Sequence, residues 1–156
     1  MNWILGTNLE NLTLTGANRI NGTGNTTDNV IIGNANINKL TGLEGDDTLT
    51  GDLGADRFMF VSTASGLDTI TDFNGLVSGL ADGDKLQLDA SLLVGTFAYV
   101  GGAGFSGGSD NSEARINVNL GRVIIDTDGD GTGDITIALT GLVNEEQLAL
   151  ADFIFV

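Results

Sequence analysis

Large apolar residues return every nine positions between residues 24 and 59. Laid in rows of nine from Gly24, Gly33, Gly42 and Gly51, the sequence reads GNTTDNVII, GNANINKLT, GLEGDDTLT and GDLGADRFM. Three columns keep step. Glycine stands first, Asn29, Asn38, Asp47 and Asp56 stand sixth, and Ile31, Leu40, Leu49 and Phe58 stand eighth. Six polar, glycine-containing residues make a turn whose backbone carbonyls can point at one centre. The last three make a short strand with its middle side chain facing inward. A row cannot bury its own apolar face, so rows must stack. Two rows complete one coil of a parallel β-roll, which brings the turn at Gly24 beside that at Gly42 and the turn at Gly33 beside that at Gly51. Asn29 is then expected to face Asp47, and Asn38 to face Asp56.

Beyond residue 61 the rhythm of nine stops. In DTITDF and GDKLQL, Ile70, Phe73, Leu86 and Leu88 read as buried positions on short strands. Asp89 or Ser91 suits the cap of one helical turn. Residues 101–113 form a Gly/Ser loop. Ile116, Val118 and Leu120 then alternate with polar residues, Gly121 turns the chain into 123–125, and Ile135, Ile137 and Leu139 alternate again. That is an antiparallel pattern. Asn144 with Gln147 makes a capping box for a short helix through Leu148 and Leu150, and a hydrophobic strand closes the chain. Upstream, LENLTLTGANRINGTG has the flavour of the rows but slips in phase. The fold class expected is all-β: an irregular first coil or cap over 1–23, a short parallel β-roll over 24–61, and an antiparallel, sandwich-like β domain with one short helix over 62–156.

Composition narrows the chemistry. The 156 residues are 41% hydrophobic, enough for a core, and include no Cys, Pro or His. Zinc sites of the Cys/His kind, Cys–His and Ser–His–Asp nucleophiles, and disulfides are all excluded. Twenty-one acids against six Lys plus Arg give a formal net charge of −15. Such a chain is repelled by nucleic acid and by anionic membrane surfaces. Many of the acids lie beside glycines, an arrangement that suits hard divalent cations with oxygen ligands. The candidate ligands in the rows are the side chains of Asn29, Asn38, Asp47 and Asp56, with backbone donors at Gly42, Glu44, Gly51 and Leu53.

A second acidic cluster runs from Asp126 through Asp128 and Asp130 to Asp134. Acids at positions one, three, five and nine, with Gly131 at six, copy the start of an EF-hand loop. The flanking helices are missing, and position twelve is Ile137 rather than Glu. The pattern therefore reads as a calcium loop on a β-hairpin, since four carboxylates so close repel unless a cation neutralises them. A solvated Asp/Gly turn is the alternative.

The rows resemble the RTX (repeats-in-toxin) family, whose nonapeptide is G-G-x-G-x-D-x-U-x with U a large apolar residue. Those at Gly42 and Gly51 match well. Those at Gly24 and Gly33 have Asn for Asp at the sixth position, and Thr27 and Asn36 for the second Gly, leaving one carboxylate at each inferred site. The resemblance implies Ca²⁺ as cofactor and a roll that folds as it binds. DTITDF and GDKLQL are similar to the segment after the roll in the serralysin-type C-terminal domain of RTX exoproteins. In that comparison Asp72 and Asp84 become further calcium ligands and Phe105 an anchored aromatic. Residues 152–156 resemble the uncleaved signal of type I (ABC transporter) secretion. Residues 1–6 lack the basic region of a Sec signal, and no apolar run approaches a membrane span. Together these imply a non-catalytic, extracellular, calcium-folded module of a larger exoprotein, with calcium ions and the type I secretion apparatus as partners. Two other classes stay open: a self-associating adhesive module pairing through exposed edge strands, and a carbohydrate-binding auxiliary domain resting on paired carboxylates. The single Trp and single Tyr argue against the latter.

Overall fold

The structure is a computed structural model that describes residues 1–75, 83–100, 102–103, 111–117, 119–140 and 148–156. The expected helix start at 144–147 and Phe105 lie outside the described residues. Fourteen short strands among them form two sheets. The first sheet holds β1 (Asn2–Ile4), β3 (Asn21–Thr23), β5 (Lys39–Thr41), β7 (Arg57–Phe60), β9 (Lys85–Leu88) and β14 (Phe153–Phe155), in that order and parallel throughout. The second begins with β2 (Asn11–Thr13), β4 (Val30–Ile32), β6 (Thr48–Thr50) and β8 (Leu67–Ile70), also parallel. It continues into β13 (Ile135–Leu139), β12 (Arg122–Asp126), β11 (Glu113–Asn117) and β10 (Ala98–Tyr99). From β1 to β10 successive strands alternate between the two sheets, as a roll requires.

The eighth column of the rows is the core. Ile31, Leu40, Leu49 and Phe58 are each fully buried, while their immediately flanking strand residues, buried Thr41 apart, are half-buried or exposed. Each such side chain contributes roughly 1.5–3 kcal/mol by leaving water. Residues 1–23 contribute strands to both sheets. They supply β1, β2 and β3, which pair in register with the coils that follow. At the inward position of β3 stands Gly22, where a β-carbon would lie 3.1 Å from both Leu12 and Ile31, so the first coil is thinner than the rest.

The rhythm ends near residue 61, but the parallel stacking does not. Thr48 pairs with Thr69 and Leu49 with Ile70, twenty-one residues apart; Phe58 pairs with Leu86 and Phe60 with Leu88, twenty-eight apart. Longer turns lengthen the period while the strands keep their places, so a fixed-period reading loses the coil exactly where the roll still continues. Ile70, Leu86 and Leu88 are fully buried, and Phe73 packs on Phe58 with ring centroids 6.2 Å apart.

The antiparallel part is as expected in kind. β11, β12 and β13 form two hairpins, with Val123, Ile125, Ile135 and Ile137 fully buried and Leu139 nearly so. They continue the second sheet of the roll, because β13 pairs in parallel with β8. Leu120 does not join the buried set: it is 58% exposed and lies in the turn after β11. The helical turn at Ala90–Leu92 is 3₁₀, with Asp89 as its cap accepting from the Ser91 N–H at 2.9 Å. A second 3₁₀ turn, Leu150–Asp152, leads into β14. Buried Asp152 accepts from Lys85 Nζ at 3.2 Å and from the Ala149 N–H at 2.9 Å, which pins the end of the chain to β9. Phe153 enters the shared core beside Phe97 and Tyr99.

Candidate metal centre

Each sixth-position side chain curls back over the glycine that opens its own turn. A β-carbon on Gly42 would collide with the Asp47 carboxylate, one on Gly51 with that of Asp56, and one on Gly24 with Asn29 Oδ1. The carbonyls of Gly42 and Gly51 lie against Gly24 and Gly33 of the turns one coil earlier. Glycine is therefore needed at the first position for space. At the fourth it serves conformation as well: Gly45 has φ +107°, and a β-carbon there would lie 2.8 Å from the Thr27 backbone. Among the remaining predicted backbone donors, Glu44 is exposed and the Leu53 side chain is 60% exposed.

Stacking the coils turns these side chains into two ladders. In the first, the Asn29 N–H donates to Asp47 Oδ1 at 2.7 Å, and the Asp47 N–H donates to Asp68 Oδ1 at 3.0 Å. In the second, the Asn38 N–H donates to Asp56 Oδ1 at 2.7 Å, and the Asp56 N–H to Asp84 Oδ1 at 2.8 Å. All six residues are buried. Asn29 and Asp47 are thus neighbours, as are Asn38 and Asp56, with backbone-to-carboxylate bonds holding them in register. Asp84 takes the third rung of its ladder and also accepts from the Asn74 N–H at 2.9 Å. Asp72 stands beside the rungs, accepting from the Gly51 and Asp52 N–H groups at 2.9 and 2.8 Å.

The period of nine finds neither Asp68 nor Asp84, and Asp68 is the ladder residue absent from the candidate ligands. Its signal is local text. Asp68-Thr69-Ile70 repeats Asp47-Thr48-Leu49, just as Asp84-Lys85-Leu86 repeats the acid, base, apolar order of Asp56-Arg57-Phe58. An acid two residues before a large, inward-facing apolar residue marks each of these rungs, whatever the length of the turn.

Electrostatically the third rung is the demanding one. Burial pushes the carboxyl of Asp47 up to about 6, opposed by the Asn29 N–H and reinforced by the charge of Asp28. Burial likewise pushes Asp68 up to about 7, opposed by the Asp47 N–H and reinforced by the charges of Asp47 and Asp46. Asp47 Oδ2 is buried with no hydrogen-bond partner among the described residues. Dehydrated carboxylate oxygens stacked on carbonyls form a hard, anionic donor set, and calcium fits it.

The hairpin loop brings Asp126, Asp128 and Asp130 together, with an oxygen of each lying within 4.8 Å of the others. Asp126 is buried and already spans the loop, accepting from the Gly129 and Gly131 N–H groups at 2.7 and 2.8 Å. Asp134 turns aside to accept from the N–H and hydroxyl of Thr127 at 2.7 and 2.6 Å. Position twelve, Ile137, is buried in the core.

The fold and these ladders define a calcium-binding parallel β-roll. Residues 23–58 match the family model of the RTX calcium-binding nonapeptide repeat, in four copies. These residues are RTX repeats, a calcium-binding type. Repeats of this kind are generally structural calcium-binding units and typically extracellular. No curated protein matches the chain. No helix among the described residues is long and apolar enough to cross a membrane.

The raised carboxyls have a consequence for the metal-free chain. Between an ordinary Asp value of 3.8 and the folded values near 6 and 7, the folded state holds protons that the unfolded chain has lost. This contribution to stability is complete below about pH 4 and disappears as pH rises through 7. In metal-stripped buffer the melting temperature is expected to be higher at pH 5 than at pH 8. Thermal melts monitored by circular dichroism check this; a higher melting temperature at pH 8 contradicts it.

Proposed function

We propose that this chain is a non-catalytic module whose folding is coupled to calcium, working outside the cell as part of a larger exoprotein. The observation that carries the reading is the Asp47–Asp68 rung, two buried acids on stacked turns with the Asp47 backbone N–H donating to Asp68 Oδ1. Without a cation, this rung and its partner Asp56–Asp84 hold like charges together in a dehydrated place, which favours opening of the turns. Bound calcium would supply the missing positive charge, and its binding free energy then becomes folding free energy. Asp47 and Asp68 would hold an ion in one ladder and Asp56 and Asp84 in the other. The Asn29–Asp47 and Asn38–Asp56 rungs, with one carboxylate each, would hold ions more weakly. Asp126, Asp128 and Asp130 would form a separate, shallower site.

Type I secretion fits the same coupling. The C-terminal segment proposed as the export signal is tied into the first sheet through β14 and the Lys85–Asp152 pair. A transporter would meet this segment free only in a loose chain, the form favoured where calcium is scarce. The decisive experiment is a calcium titration of the purified chain from EGTA, monitored by circular dichroism and thermal melting, with a magnesium control. A steep rise of β signal and melting temperature with calcium alone is expected. Equal folding in EGTA and in millimolar calcium overturns the reading.

One observation favours a second property, self-association. At the β1 edge of the first sheet, Trp3 is 55% exposed and Ile4 71% exposed. Of the charged side chains only Glu10 and Arg19 precede Asp28, so two such edges do not repel. Light scattering of the calcium-loaded chain is expected to report dimers that Trp3→Lys abolishes. A monomer at all concentrations removes this property.

A further inference from the structure

The first gap of each ladder is closed by amides where the later ones present acids. In the second ladder, Asn34 Nδ2 reaches back one coil and donates to the carbonyls of Gly16 and Asn18 at 2.9 and 3.0 Å. Asn38 Nδ2 donates to the carbonyl of Ile20 at 2.6 Å and to Asn34 Oδ1 at 3.1 Å. The first ladder repeats the device. Asn25 Nδ2 donates to the carbonyls of Gly6 and Leu9 at 3.0 and 2.8 Å, and Asn29 Nδ2 donates to Asn25 Oδ1 at 3.2 Å. Both sixth-position amides also use their oxygens, Asn29 Oδ1 accepting from the Asn25 N–H and Asn38 Oδ1 from the Asn34 N–H at 2.7 and 2.8 Å.

Converging backbone carbonyls between stacked turns are what a hard cation takes as ligands. Here side-chain N–H groups meet those carbonyls instead, carrying partial positive charge without net charge. Two amides per turn are required: one at position two to reach the earlier coil, and one at position six to lock it. In the next two rows position two is Leu43 and Asp52, neither of which has a side-chain N–H, and position six is Asp47 and Asp56. The distribution of charge follows the same division, since Glu10 alone of the 21 acids lies before Asp28.

We infer that the metal requirement of this roll is divided: the coils of residues 1–41 are closed by the Asn25/Asn29 and Asn34/Asn38 amide pairs and form without calcium, whereas the turns from residue 42 onward close only with it. The inference rests on the calcium-coupled reading above and states where along the chain that coupling acts. The amide-closed coils then present β4 and β5 as a standing template edge, onto which β6 and β7 add when calcium arrives. An acid at either amide position would remove the donors and extend the metal requirement toward the N-terminus.

Hydrogen–deuterium exchange of the full chain, read by mass spectrometry in EGTA and in millimolar calcium, tests this. Amides of residues 20–41 are expected to exchange on the order of tenfold more slowly in EGTA than those of residues 48–73 and 85–88, and to change little with calcium. The later segments are expected to slow by at least about tenfold when calcium is added. If both regions open together in EGTA and close together in calcium, the divided requirement is wrong while calcium-coupled folding stands. If both are protected equally without calcium, the underlying reading itself fails and the inference with it. A variant carrying Asn34→Asp and Asn38→Asp is expected to lose protection over residues 33–41 in EGTA and regain it in calcium. Unchanged protection in EGTA denies the amides their role. If the variant stays open in both buffers, the wild-type comparison decides alone.

Discussion

Asp68→Asn is expected to stabilise the metal-free chain and weaken its response to calcium. Asparagine keeps an oxygen where Asp68 Oδ1 accepts from the Asp47 N–H at 3.0 Å, so the rung survives in shape. What leaves is one of two buried negative charges, the one whose carboxyl is pushed up to about 7. In metal-free buffer near pH 8 the melting temperature should rise by about 2–4 °C for each kcal/mol of repulsion removed. In calcium the sign reverses. A site with half its carboxylate charge should bind on the order of tenfold more weakly, because ligand charge count tunes affinity at oxygen sites. Parallel melts of both proteins in EGTA and in calcium, with isothermal titration for affinity, give the two signs. A variant less stable in both conditions shows that the carboxylate is held for its hydrogen bond rather than for a cation. Asp47→Asn together with Asp68→Asn should leave this ladder's last gap indifferent to calcium.

The second large effect lies in the core. Phe58→Ala is expected to cost about 3–5 kcal/mol, the usual range for an aromatic ring deleted from a packed interior. Phe58 is fully buried, pairs between Leu40 and Leu86 in the first sheet, and packs on Phe73. It is therefore the residue that joins the regular rows to the coil with the longer turns. Against a total stability of about 5–15 kcal/mol, the loss should lower the melting temperature of the calcium-loaded chain by about 10 °C or more. Exchange protection of β9 should fall most, because its apolar partner is gone. A cost under about 1 kcal/mol would mean that the neighbouring side chains collapse into the space.

The charge pattern and the core pattern ask opposite things of the chain, and calcium reconciles them. Apolar columns draw the coils together, while the acids at their corners resist the same approach. The N-terminal coils avoid the conflict by using asparagine, at the cost of a thin interior around Gly22. Farther along, Phe58, Phe60, Ile70, Leu86 and Leu88 provide a thicker core beside corners lined with acids. Stability without metal and dependence on metal are thus sorted along one axis of the roll.

The inward column of the roll was legible in the sequence because a side chain's face depends only on its place within its own row. Ile31, Leu40, Leu49 and Phe58 are buried for that reason. So was the pairing of Asn29 with Asp47 and of Asn38 with Asp56, which needs only a constant period. The β12–β13 hairpin was legible from alternation and β11 only in part, since Leu120 falls in the turn beyond it, and calcium was legible from the oxygen-rich turns. The tertiary structure decided what depends on distance through space rather than on period. Turns of other lengths bring Asp68 beneath Asp47 and Asp84 beneath Asp56, and no fixed spacing in the chain announces it. It also merged the C-terminal strands into the two sheets of the roll, since a sheet edge accepts whichever strand reaches it. Finally, it turned the side chains of Asn25, Asn34 and Asn38 into closures between coils, because an amide's partner is chosen by what stacks above it, eighteen residues away from Asn34 to Gly16 and from Asn38 to Ile20.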